Sequence, residues 1–148
     1  MEKTVHLSNS YNETEQIGRE LGKSLTGTEV IARFGGLGMG KTAFIRGLAE
    51  GLEISPDHIS SPTFAIVHEH DGRVKLYHYD MYRVETWEDL DSTGFFEALG
   101  SGVVAVEWSE NIENAIPFPH YKVEISTGND IDSRIITLSH FASQEEKE

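Results

Sequence analysis

"VIARFGGLGMGKTAFIRGLAEGL", residues 30–52, decides the fold. Val30, Ile31, Ala32 and Phe34 make a short run rich in β-branched and aromatic residues, which predicts a buried strand. After the glycines, Ile45, Leu48, Ala49 and Leu52 recur as one apolar stripe of a helix. Between them, Gly35, Gly40, Lys41 and Thr42 satisfy the pattern G-x-x-x-x-G-K-[ST] without a mismatch. A polyphosphate must lie against backbone N–H groups, so such a loop needs positive φ and no Cβ in the way. The helix that follows adds free N–H groups and the positive end of its dipole. Residues Gly35, Gly36, Leu37, Gly38, Met39, Gly40, Lys41, Thr42 and Ala43 are therefore the candidate phosphate cradle. Lys41 is placed to reach the β- and γ-phosphates, and the Thr42 hydroxyl to ligate Mg²⁺.

Composition narrows what else the chain can be. Its 148 residues suit one domain, here residues 1–142, with 143–148, "SQEEKE", a charged tail expected to be disordered. With 25 acidic and 12 basic residues the formal charge is −13, a poor footprint for direct contact with nucleic acid. Any role on RNA would run through a more basic partner. Cysteine is absent, which removes disulfides and thiolate metal sites. "MEKTVHLSNSYNETEQ" has no apolar signal region and no run approaches membrane-spanning length, so a cytoplasmic protein is expected.

The remaining chain reads as alternating elements. "TVHLS" (4–8) predicts a strand, and "NETEQIGRELGKSL" (12–25) a helix capped by Ser10 or Asn12. "TFAIVHEHDGRVKLYHYDMYR" (63–83) predicts a hairpin about a two-residue Asp71-Gly72 turn. "ETWEDLDSTGFFEAL" (85–99) suggests one or two short helices, with Thr86 and Asp89 as a capping box. "GVVAVEW" (102–108) is the continuous apolar run of a strand buried on both faces. "HYKVEIS" and "SRIITLSH" predict a last strand pair around Asn129-Asp130. The whole is an α/β, three-layer P-loop NTPase-like domain with a mixed, largely central-parallel sheet and a β-hairpin insertion.

Turnover requires an acid near the metal and a group that orients the attacking water or acceptor. Glu107 ends the buried run, where open α/β sheets hold ligands, and is the candidate second metal ligand beside Thr42. Asp80 is the other candidate. Alternation along the strand puts Leu76, His78 and Asp80 on one inward face. With the two-residue turn, His68 faces Lys75 and falls on the opposite face from His78, so His68, His70 and His78 are not expected to converge on zinc. Thr63 in "SSPTF" is the candidate γ-phosphate sensor. Among Arg46, Arg73, Arg83 and Arg134, the last is the candidate contact to base or ribose. Trp108 is a candidate packing element of the site. No Asn-Lys-x-Asp element for guanine occurs, which favours ATP over GTP.

Taken in order, "GGLGMGKT", "SPTF", "YHYDMYR" and "VEW" resemble the TsaE family, with "NETEQIGRELG" similar to its first helix; the likeness spans roughly residues 4–138. Gly36 stands where an acidic residue is commoner in that family. The resemblance implies a cytoplasmic ATPase that acts with TsaB and TsaD to attach a threonylcarbamoyl group to adenosine 37 of tRNA. It implies that Lys41 binds phosphate, that Thr42 and Glu107 hold Mg²⁺, and that Asp80 lies by the γ-phosphate. Hydrolysis slow in isolation and stimulated by partners is expected, with tRNA met only through them. A small-molecule kinase and a non-hydrolysing, nucleotide-dependent interaction module are the alternatives.

Overall fold

Alternating burial in the apolar runs builds one sheet with helices on both sides. The computed structural model describes residues 2–34, 41–55, 57, 59 and 66–146, and of Lys41 the backbone alone. The elements in chain order are β1 (Glu2–Ser8), α1 (Tyr11–Ser24), β2 (Val30–Phe34), α2 (Lys41–Gly51), β3 (Val67–Asp71), β4 (Lys75–Asp80), α3 (Trp87–Ser92), α4 (Phe95–Ala98), β5 (Val103–Glu107), β6 (His120–Thr127) and β7 (Arg134–Phe141). The 3-10 segments Ser109–Ala115 and Gln144–Glu146 follow β5 and β7. The strands run β1-β7-β6-β2-β5-β4-β3 in one seven-stranded sheet. The central four, β6, β2, β5 and β4, are mutually parallel, and the flanking pairings are antiparallel. This is the mixed, three-layer α/β fold that the sequence predicts.

Two apolar clusters cover the two faces. Ile31, Leu76, Val103 and Ala105 pack against α1 and α2 through Leu21, Phe44, Ile45 and Leu48. Val30, Ala32, Tyr79, Val104 and Val106 pack against α3, α4 and the 3-10 segment through Leu90, Phe95 and Ile112. Every residue of β5 is buried, as a strand sandwiched between two layers requires. Ser10 caps α1 by accepting from the Glu13 amide at 3.1 Å, and Thr86 with Asp89 forms the expected capping box of α3.

The α1–α2 contact fixes the helix that follows the glycine loop. Gly18 and Gly22 of α1 face Phe44 and Leu48 of α2, while Gly47 and Gly51 face Glu15 and Arg19. A Cβ on Gly47 would fall inside the Glu15 carbonyl oxygen, so the backbones meet where only glycine fits. Arg19 pairs with Glu50 at 2.6 Å and Arg46 with Glu15 at 3.6 Å across the same seam. Those four glycines are a spacing signal in the sequence that periodicity of apolar residues does not pick up.

The hairpin departs from its predicted register. Asp71 pairs with Lys75, His70 with Leu76 and His68 with His78, so the turn comprises Gly72, Arg73 and Val74 rather than Asp71-Gly72. The cause is tertiary. The Arg73 guanidinium donates to the carbonyls of Leu25 at 2.9 Å and Gly22 at 3.0 Å, at the end of α1, and its amide donates to Leu52 at 2.8 Å. Anchoring a cation on helix C-terminal carbonyls outweighs the local preference for a two-residue Asp-Gly turn. The hairpin joins the mixed sheet as expected: β4 lies parallel to β5 and β3 forms the edge. At the other end, Gln144–Glu146 is a 3-10 turn in which the Glu146 carboxylate accepts from the Ala142 amide at 2.6 Å, where composition alone suggests a disordered tail. No helix among the described residues is long and apolar enough to cross a membrane.

Candidate functional site

The parallel strands β2, β5 and β4 end at one edge of the sheet, where the residues singled out from the sequence lie. β2 ends at Phe34, immediately before the glycine loop, and α2 begins at Lys41, immediately after it. Gly35, Gly36, Leu37, Gly38, Met39, Gly40 and Thr63 lie outside the described residues. Thr42 sits half-buried in the first turn of α2, and Ala43 is buried beneath it. Asp80 at the end of β4 is register partner to Glu107 at the end of β5, so the two acids occupy neighbouring strands about 4.8 Å apart.

Parity decides which way these side chains point. Ile31, Ala105 and Leu76 face α1 and α2, so Arg33, Glu107, His78 and Asp80, two or four residues further on, share that face. The α2 helix covers the same face. The inward parity expected for Asp80 holds although the predicted cross-strand register does not, because parity along one strand is independent of its partner. The register does change the histidines. His68 stands opposite His78 and shares its face, contrary to the two-residue-turn expectation. Even so, no group of three or more His, Cys, Asp or Glu residues among the described residues could hold a metal ion.

The centre of the site is a buried cluster of charge. Arg33 Nη1 approaches Glu107 Oε1 at 3.3 Å, and His78 Nε2 approaches Glu107 Oε2 at 3.5 Å. The Arg33, His78 and Glu107 side chains are 6%, 2% and 4% exposed. Both contacts lie in ion-pair range, yet Glu107 Oε1 and both His78 ring nitrogens make no hydrogen bond among the described residues. Buried polar atoms normally make a hydrogen bond, and Glu107 Oε1 has an ion-pair contact without one among the described residues, which leaves it capacity for a further ligand. Oxygen donors from Glu107 and Thr42 are the hard type that suits Mg²⁺. The residues present fit that ion.

Asp80 is bound differently. Its Oδ1 accepts from the Tyr82 amide at 2.9 Å and closes a turn after β4, which leaves the second oxygen for other partners. Asn111 clamps this turn to the segment after β5 by donating to the carbonyls of Met81 at 2.9 Å and Tyr82 at 3.2 Å. Trp108, next to Glu107, takes a left-handed backbone conformation with φ 58° and packs against Tyr82 with ring centroids 4.9 Å apart and planes tilted by 56°. It is a packing element, and it re-aims the chain where β5 ends.

The arginines sort clearly. Arg46 pairs with Glu15 and Asp57, and Arg73 is anchored on helix carbonyls. Arg83 is exposed beyond Asp80. Arg134 begins β7 opposite Thr127, at the same sheet edge as the glycine loop but two strands from β2, and its Nη1 donates to the Ile131 and Ser133 carbonyls at 2.9 Å. The residue of this cluster that pattern reading passes over is Arg33. Its signal is a lone cation inside an apolar run, one position before the residue that enters the loop.

The family description "Threonylcarbamoyl adenosine biosynthesis protein TsaE" matches residues 8–136, a span that holds every residue of this cluster. The chain belongs to the TsaE family. A Treponema pallidum (strain Nichols) relative, named tRNA threonylcarbamoyladenosine biosynthesis protein TsaE, is 39% identical over 121 residues, covering 81% of this chain and 87% of its own. A relative of the same name from Bacillus subtilis (strain 168) is 42% identical over 113 residues, covering 75% of this chain and 69% of its own. The crystal structure of Bacillus subtilis YdiB is similar over 99% of this chain and 90% of that chain, with a TM-score of 0.75 and 31% identity. The TsaE resemblance carried by the four sequence elements is thus a family relationship.

Proposed function

We propose that this TsaE-family protein binds and hydrolyses ATP with Mg²⁺ as the nucleotide-driven member of tRNA threonylcarbamoyladenosine biosynthesis, acting in the cytoplasm with TsaB and TsaD. The observation that carries the proposal is the convergence of the α2 N-terminus, Glu107 and Asp80 at the ends of β2, β5 and β4. In this reading Lys41 binds the β- and γ-phosphates, Thr42 and Glu107 hold the metal, and Asp80 orients water at the γ-phosphate. Mg²⁺ would supply charge neutralisation of the phosphates. The family name fits the acidic balance, since a chain of formal charge −13 is suited to meet tRNA through basic partners.

The test has two parts. Titration of ATP into wild type and Lys41→Ala should show affinity lower by tenfold or more in the variant, as loss of a charge-assisted contact worth about 1.5–3 kcal/mol requires. Hydrolysis by the isolated chain should be slow and should rise on adding TsaB and TsaD, because few arginines here are placed to act on transferring phosphate and fingers supplied in trans raise turnover by roughly 10³–10⁵. Equal ATP affinities would reduce the loop to a turn. Fast transfer of phosphate to a metabolite without partners would make the protein a kinase.

A further inference from the structure

Arg33 occupies a position that the proposed ATPase reading does not use. It projects from β2 onto the α2 face, its guanidinium 3.3 Å from the Glu107 oxygen that has no hydrogen bond among the described residues. His78 Nε2 stands 3.5 Å from the other oxygen, so each carboxylate oxygen already has a side-chain nitrogen within ion-pair range. Breaking or overloading such a buried set is costly, because charges at 4–6% exposure are poorly solvated.

We propose that Arg33 is a positioning residue that serves as the stand-in counter-charge of Glu107, making cation binding there conditional on nucleotide. The proposal rests on Glu107 being a cation ligand of the ATP site. The charge balance drives it. Arg33 offsets Glu107, and with the neighbouring Asp80 the three carry a formal charge of −1, so a divalent cation arriving alone still leaves a net positive charge in a water-poor site. A polyphosphate at the start of α2 brings negative charge with the cation and restores the balance. Nucleotide-free protein is thereby kept from loading metal, and Glu107 is held in place until nucleotide arrives.

The test uses Mn²⁺ as the probe, with free Mn²⁺ followed by electron paramagnetic resonance in nucleotide-free protein. Arg33→Gln, which keeps a hydrogen-bonding group but loses the charge, should bind Mn²⁺ at least tenfold more tightly than wild type. Arg33→Lys should stay within about twofold of wild type. Arg33→Gln in combination with Glu107→Gln should return to weak binding. Indistinguishable Mn²⁺ affinities for wild type and Arg33→Gln overturn the proposal, even where wild type binds Mg²⁺ and ATP normally and the ATPase reading stands. A wild type that binds no ATP removes that reading and this proposal with it. If Arg33→Gln does not fold, recovery of folding in Arg33→Gln/Glu107→Gln, read by thermal melting, supports the pairing, and failure of both variants to fold overturns it.

Discussion

Glu29 and Glu107 stand at opposite ends of the central strands and are satisfied in opposite ways. Glu29, just before β2, takes amide hydrogen bonds from Thr26 at 2.8 Å, Gly27 at 2.9 Å and Thr28 at 3.1 Å, plus the Thr26 hydroxyl at 2.9 Å. Burial, the largest single influence, pushes its carboxyl up, but the Gly27 and Thr26 hydrogen bonds together outweigh it and bring it down to about 2. Glu107, at the end of β5, has no such amide cage among the described residues and meets side chains from β2 and β4. A carboxylate closed by its own loop is structural. One balanced by side chains from other strands can exchange partners, and that is the end where the glycine loop opens.

The largest effect expected comes from removing Glu107. Glu107→Ala removes the carboxylate 3.3 Å from the buried Arg33 guanidinium and should cost about 3–5 kcal/mol of folding stability in urea. Loss equal to that of an exposed acid would break the contrast with Glu29. Next comes Asp80, whose Oδ1 closes a turn while its other oxygen is available. Asp80→Ala should retain most ATP binding and lose turnover by about 10²-fold, measured under partner-stimulated conditions. If binding falls and turnover per bound ATP does not, Asp80 is a ligand of the metal or nucleotide instead.

How far these residues could be read beforehand follows from the same contrast. The strand–loop–helix, the all-buried β5 and the inward parity of Asp80 follow from local pattern, because periods of 2 and 3.6 need no tertiary partner. The hairpin register did not follow, because Arg73 is held by carbonyls of α1, about 50 positions away in the chain. Arg33 and His78 were hidden for a related reason. Their role exists only once β2, β5 and β4 are side by side, and strand order is not written in any one segment. Glycines 18, 22, 47 and 51 likewise make sense only when α1 meets α2.

A smaller effect links the two ends through α2. Gly47→Ala drives a Cβ against the Glu15 carbonyl and should cost about 1–3 kcal/mol as the helix shifts. ATP affinity should weaken along with stability if α2 positions the cradle, which a calorimetric titration beside a melting curve would show. Glu29→Gln should have the smallest effect. Because the folded carboxyl lies at about 2, below its ordinary value of 4.5, its contribution is present above about pH 4.5 and is lost as pH falls toward 2. Its partial exposure to solvent limits the contribution to about 1 kcal/mol at most. Urea midpoints measured from pH 5 to pH 2 should fall less steeply in Glu29→Gln than in wild type, with ATP affinity at neutral pH unchanged.

The most direct measurement is ATP affinity with and without Mg²⁺ in wild type and Glu107→Gln. In wild type Mg²⁺ should strengthen ATP binding by tenfold or more, and in Glu107→Gln most of that gain should disappear while metal-free binding persists. An undiminished Mg²⁺ gain in Glu107→Gln would contradict the assignment of Glu107 as the exchangeable carboxylate of the site.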